Sequence, residues 1–159
     1  MNLYDELIGL IDALEQSGLE YAICGGVALA FHGHPRFTKD IDLLIRAEDL
    51  EKIRDAVAGR GFKIEGGRIP FRPGKPDEQI VHRVSKVSGA EILTLDLILV
   101  SPVLEKIWRN RGAFSWKGRK VKVLSREGLV EMKRLAGCTQ DLADVERLES
   151  DFHESDPGP

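Results

Sequence analysis

Leu3, Leu7, Leu10, Ile11 and Leu14 recur at helical spacing, which predicts an amphipathic helix over Asn2–Ser17 that Gly18 stops. A short apolar strand follows from Glu20 to Cys24, and Gly25-Gly26 opens a second helix of small residues. After a turn at His32–Pro35 the pattern alternates. Over Asp40–Ile45, Ile41, Leu43 and Ile45 share one face of a strand, with Asp42 and Leu44 on the other. A third helix spans Ala47–Ala58, closed by Gly59 and Gly61. Gly66–Pro76 reads as a loop from its glycines and prolines. Gln79–Val87 and Glu91–Val100 read as an antiparallel pair turning near Ser88-Gly89. A short helix around Leu104–Asn110, a hairpin turning at Lys117-Gly118, a helix over Arg126–Ala136 capped by Ser125, a break at Gly137–Thr139 and a last helix over Gln140–Ser150 complete the chain. Interleaved strands and helices with a hairpin define an α/β (α+β) class: a mixed β-sheet flanked by helices, ending in a helix pair.

The pattern also exposes its exceptions. Asp40 and Asp42 stand two residues apart on a strand, so both carboxylates project from one face of a segment, DIDLLI, that otherwise asks for burial. Like charges so placed repel and raise a pKa unless a cation neutralises them, and paired carboxylates with a bound phosphate are a setting for Mg²⁺. Asp96 sits alike in TLDLILV. One such Asp would be read as lying on a solvated sheet face; three embedded in strands point to coordination. Gly25-Gly26, between strand and helix, offers backbone amides that a phosphate can approach. By itself a glycine pair is an ordinary turn. Followed by an Asp pair it forms the apparatus of phosphoryl or nucleotidyl transfer.

Composition narrows the classes. The chain has 159 residues, 42% apolar, 31% charged and 6% aromatic, which excludes a disordered chain, a collagen-like rod and a disulfide scaffold. It predicts one domain over residues 1–150 and a frayed tail over 151–159. No stretch reaches the ~18 apolar residues of a membrane helix, and Asp5 and Glu6 stand where a signal peptide carries positive charge. The expectation is a cytoplasmic protein with no membrane partner. Cys24 and Cys138 are read as free thiols. Net charge is −3, unevenly spread: Val103–Arg134 carries ten Lys/Arg against three Glu, whereas residues 140–159 carry one Arg against seven acids. Only the basic band suits a polyanion. Trp108 and Trp116 within it are core residues or stacking platforms. His32 and His34 lack a third ligand at zinc spacing and read as polar lining.

The stretch GGVALAFHGHPRFTKDIDLLI resembles the minimal nucleotidyltransferases of the polymerase-β-like superfamily, and is most similar to the AbiE-type (AbiEii-like) toxin nucleotidyltransferases and their uncharacterised bacterial relatives. The resemblance spans most of Tyr21–Leu148; the region Gly61–Gln79 matches no family motif. It implies an Mg²⁺-dependent enzyme moving a nucleoside monophosphate from an NTP to an acceptor hydroxyl on an RNA end, a protein or a small molecule, with an antitoxin protein as partner. Residue by residue, it makes Asp40, Asp42 and Asp96 the catalytic, metal-binding carboxylates for two Mg²⁺ ions, with Asp96 completing one ion site or serving as base. Gly25, Gly26, Arg36, Thr38 and Lys133 become nucleotide-binding residues. The closing stretch MKRLAGCTQDLADV is similar to the family's helix pair, in which Asp141 and Asp144 support Lys133; Cys138 stands where relatives often carry a basic residue. Read without the resemblance, Lys133 is a solvated helix charge unless its helix packs over the glycine turn, and Arg36 and Thr38 either orient the aspartates or meet phosphate, or are a surface charge and a turn residue. Two rival readings remain. One is a nucleotide-binding or interaction module without turnover, which the intact aspartates oppose. The other is a small-molecule adenylyltransferase of the antibiotic-modifying kind, whose acceptor pocket Gly66–Pro76 would build.

Overall fold

The computed structural model describes residues 1–136 and 139–154. The chain opens with α1 (Leu3–Gln16), β1 (Ala22–Cys24), α2 (Gly25–Phe31), β2 (Asp40–Ile45) and α3 (Leu50–Ala58). It continues through β3 (Ile64–Phe71), β4 (Gln79–Ser88), β5 (Glu91–Leu99) and α4 (Glu105–Arg109). The hairpin β6 (Gly112–Trp116) and β7 (Arg119–Val123) leads to α5 (Arg126–Ala136) and α6 (Thr139–Glu154). Short 3-10 turns at Ala47–Asp49 and Pro102–Leu104 precede α3 and α4. Ser125 caps α5 as the sequence predicts, and Asn2, read there as the first residue of the helix, is instead the cap of α1. Asn2 accepts the backbone N–H groups of Tyr4 and Asp5 at 2.9 and 3.1 Å, and Ser125 Oγ accepts that of Gly128 at 3.0 Å.

The strands form one seven-stranded mixed sheet in the order β3-β4-β5-β2-β1-β7-β6. β2 lies at its middle, antiparallel to β1 and parallel to β5. Alternation sends Ile41, Leu43, Leu95 and Leu97 to one buried face and Asp42 and Asp96 to the other. Leu7, Leu10, Ile11 and Leu14 of α1 are buried in the core, and α1 packs against α3. Lys86, which shares Leu93's face by register, pairs with Glu6 of α1 at 2.8 Å, so α1 covers the leucine face. Arg119 of β7 ties down the same helix through a two-pronged bond to Asp12, at 2.7 and 2.9 Å.

The structure departs from the sequence reading at Gly66–Pro76. Residues 64–71 form an edge strand paired with β4, and only Arg72 onward is a loop. The strand is exposed along nearly its whole length, so no apolar alternation marks it, and Pro70 is tolerated on an edge. Trp108 is buried in the core, and Trp116 is half-buried, packed edge-on against Tyr4 and Phe31. Cys24 is a buried free thiol, while Cys138 and residues 155–159 lie outside the described residues. The last helix continues past Ser150 to Glu154. Among the described residues no helix is long and apolar enough to cross a membrane.

Candidate active site

Register brings the aspartates together. Asp42 of β2 is the cross-strand partner of Asp96 on β5 and, on its other side, of Cys24 at the end of β1. Asp40 is on the same face of β2 as Asp42, next to Thr94. Crowding these carboxylates has a clear electrostatic signature: Asp42's pKa is pushed up to about 7, by burial first and then by the negative charges of Asp96 and Asp40. Cys24, wholly buried beside it, has its thiol pushed well up by the same burial and by Asp42's charge.

Gly25 explains itself by geometry. Its φ is +65°, and a Cβ there would lie 2.0 Å from Asp42 Oδ2. The glycine therefore lets the carboxylate lie against the backbone where β1 turns into α2. Gly26 makes room on the other side, where a Cβ would meet Thr38 Oγ1 at 2.9 Å and Arg36 Nη2 at 3.2 Å. Gly25→Ala is expected to cost about 1–2 kcal/mol for the left-handed backbone and to swing Asp42 out of place. A thermal melt and a transfer assay check this, and an unchanged melt with full activity would contradict it.

Lys133 is not a solvated helix charge. It is 4% exposed, and its Nζ donates to Asp144 Oδ2 at 2.9 Å, with Asp141 at 3.7 Å. Asp144, fully buried on α6, also accepts Arg36 Nε and Nη2, both at 3.2 Å. One carboxylate thus joins α6, α5 and the loop leading into β2. Burial alone would raise Asp144's pKa; hydrogen bonds from Lys133 and Arg36 outweigh it and hold the group below the usual range. Thr38 donates weakly to the carbonyl of Asp40 at 3.4 Å, a contact that steadies the strand entry.

Part of this set meets at a pocket of about 270 Å³ between the sheet and α5, whose lining does not include Asp40, Gly26, Arg36, Thr38 or Asp144. Cys24, Gly25, Asp42 and Asp96 line it on one side and Lys133 and Asp141 on the other, and Phe71, Val81, Ile98, Leu129 and Met132 make it largely apolar beyond them. The histidines turn elsewhere: His32 Nε2 meets the carbonyl of Leu124 at 2.8 Å and His34 pairs with Asp151 at 2.7 Å. Sequence reasoning missed Arg83, the cross-strand partner of Asp96. Its Nε and Nη2 donate to Asp96 Oδ1 and Oδ2 at 2.8 and 3.0 Å.

A divalent cation is tested by the donors present. Among the described residues, no group of three His, Cys, Asp or Glu stands gathered for a metal, and Arg83 engages both oxygens of Asp96. The donor chemistry fits a hard cation all the same. Asp42 and Asp96 are neighbouring carboxylates, oxygen donors of the kind a hard cation takes.

A mixed sheet thus presents a carboxylate pair beside a glycine turn, under a helix that supplies a buried lysine, an arrangement whose class the family match gives as a nucleotidyltransferase. The profile of the AbiEii nucleotidyl transferase toxins of type IV toxin–antitoxin systems matches residues 10–133, and the chain belongs to this family. No curated protein matches in a sequence search. Solved structures agree on the fold. The lincosamide antibiotic adenylyltransferase LnuA, with lincomycin bound, is similar at TM-score 0.62 and 16% identity, over 92% of this chain and 96% of that one. The antibiotic-resistance factor ANT(2'')-Ia is similar at TM-score 0.60 and 14% identity, over 93% and 83%. A Thermotoga maritima protein, TM1012, is similar at TM-score 0.60 and 15% identity, over 93% and 91%.

Proposed function

We propose that this nucleotidyltransferase uses Mg²⁺ to move a nucleoside monophosphate from an NTP to an acceptor hydroxyl, and that it acts as the toxin of a toxin–antitoxin pair. The new bond joins the acceptor oxygen to the α-phosphorus, the α–β phosphoanhydride breaks, and pyrophosphate leaves with its electron pair. The observation that carries the reading is the register of Asp42 against Asp96 in a pocket that also holds Gly25 and Lys133.

Asp42 and Asp96 would hold the cation, with Asp40 beside them on the same face. Bound there, Mg²⁺ would lower the pKa of the acceptor hydroxyl and offset charge on the departing pyrophosphate. Lys133, with donors beyond the one Asp144 takes, would meet the triphosphate in the pocket it shares with Gly25. Asp144, which also accepts from Arg36, would position that lysine. Family membership supports toxin action and an antitoxin partner for this chain.

The test is label transfer: each of the four NTPs, labelled at the α-phosphate, incubated with the protein and cell extract, with Mg²⁺ or with EDTA. Metal-dependent label on RNA, protein or a small molecule is expected, and its fraction distinguishes the acceptors. The small-molecule reading draws on LnuA and ANT(2'')-Ia and on the apolar pocket wall, and label confined to small molecules would favour it. No label with any NTP would overturn the proposal in favour of a silent module. Lys133→Ala should weaken NTP binding by about 1 kcal/mol or more, roughly fivefold in Kd, as loss of a charge-assisted phosphate contact does. Calorimetry on the folded variant checks this, and unchanged affinity would confine Lys133 to its bond with Asp144.

A further inference from the structure

Arg83 has a place built for it. Between Glu65 and Gly67 the register of β3 against β4 slips, and Gly66 sits at the slip, over Arg83's stem. A Cβ on Gly66 would stand 2.6 Å from Arg83 Cγ and 3.0 Å from its Cβ, so a side chain there would push the arginine off its course. The irregularity is thus a fitted recess in an otherwise regular edge strand. From it the guanidinium reaches across one strand and engages both oxygens of Asp96 in a fork, at 2.8 and 3.0 Å. Asp42, on the next strand, has no such fork among the described residues.

We infer that Arg83 is a latch on the cation site: a positioning residue that occupies both oxygens of Asp96 and must release at least one before Asp96 can join Asp42 in holding a divalent cation. The inference rests on the proposed cation site and adds to it a control on when that site fills. The guanidinium carries a single charge and fixed donors, so it satisfies Asp96 yet cannot serve both carboxylates as a divalent ion would. Opening the fork gives up two charge-assisted hydrogen bonds, which lowers affinity for a bare ion. An ion arriving with a nucleotide's phosphates brings further ligands to set against that loss. The latch therefore biases the protein against free cations and toward the cation–nucleotide complex.

The experiment is a Mn²⁺ titration of nucleotide-free protein, read from the EPR signal of free Mn²⁺, on wild type, Arg83→Gln, Arg83→Lys, Gly66→Ala and the double variant Arg83→Gln/Asp96→Asn. The latch predicts about tenfold tighter Mn²⁺ binding for Arg83→Gln, and the gain should vanish in the double variant. Gly66→Ala keeps the charge but displaces the guanidinium, so it should gain as well; Arg83→Lys, which cannot fork, should fall between. Circular dichroism melts establish that each variant is folded, and Gly66→Ala carries the test if Arg83→Gln is not. If Arg83→Gln gains while Gly66→Ala and Arg83→Lys match wild type, the effect is general repulsion and the latch is overturned. Wild-type affinity in all the variants overturns it too. If no variant binds Mn²⁺, even with a non-hydrolysable NTP, the cation site itself falls and the latch with it.

Discussion

Asp42→Asn is expected to reduce nucleotidyl transfer by about 10³-fold, the scale of losing a group that organises transition-state charge, and also to stabilise the metal-free protein at pH 8. Both effects come from one crowded carboxyl. Its pKa is pushed up to about 7 from an ordinary 3.8, by burial first and then by Asp96 and Asp40. An acid with a raised folded-state pKa holds its proton more tightly folded than unfolded. Its effect on stability is therefore nil below about pH 4, turns unfavourable as pH rises toward 7, and stays so above. Asparagine has no proton to lose, so the variant should lack this decline. At ~1.36 kcal/mol per pKa unit, the gain at pH 8 is at most about 4 kcal/mol. Thermal melts from pH 4 to pH 8 in EDTA measure it. A variant that melts below wild type at pH 8 would make Asp42 a structural group, and retained transfer would remove it from the chemistry.

That the two carboxylates face the same pocket was half legible in the sequence. Period-two alternation placed Asp40 and Asp42 on one strand face and Asp96 in a second strand, because apolar neighbours mark each segment locally. Pairing β2 with β5 in parallel is a long-range choice that local pattern does not encode, and it is this register that sets Asp42 against Asp96. Arg83 was invisible for the same reason: in sequence it is one more charge in an alternating strand, and its meaning arises only across the β4–β5 ladder. β3 was hidden differently. An exposed edge strand has no buried face to impose alternation, and its Gly66-Gly67 and Pro70 signal a turn although the first two serve a slip in register. Lys133 shows the limit of residue-type expectation, since lysines are mostly exposed and only the packing of α6 on α5 brings Asp144 to it.

Asp144→Ala is expected to destabilise the protein by about 3–5 kcal/mol, more than any other single change at the site, because it strands two buried or half-buried cations at once. Asp144 is fully buried, and Lys133 Nζ and the Arg36 guanidinium converge on it from α5 and from the loop before β2. Removing it leaves the lysine buried, with Asp141 at 3.7 Å. A loss of that size takes a large share of the ~5–15 kcal/mol typical of a domain, so the variant should unfold at much lower urea. The pH dependence has a definite sign. Asp144's pKa is held down by Lys133 and Arg36 against the upward pull of burial, and a depressed acid contributes stability that is present above its unfolded value near 3.8 and is lost as pH falls through its folded one. Wild type and Asp144→Ala should therefore differ most at pH 7 and draw together below about pH 4. Urea unfolding at pH 7 and pH 3 measures both points. Replacing the lysine as well, in Asp144→Ala/Lys133→Met, should recover part of the loss, since the pair fails by leaving a charge behind rather than by losing its attraction. A loss under about 1 kcal/mol at pH 7 would show that the three groups are solvated in practice. Recovery in the double variant would instead fix Asp144 as the group that makes a buried lysine tolerable beside the pocket where Asp42 and Asp96 meet.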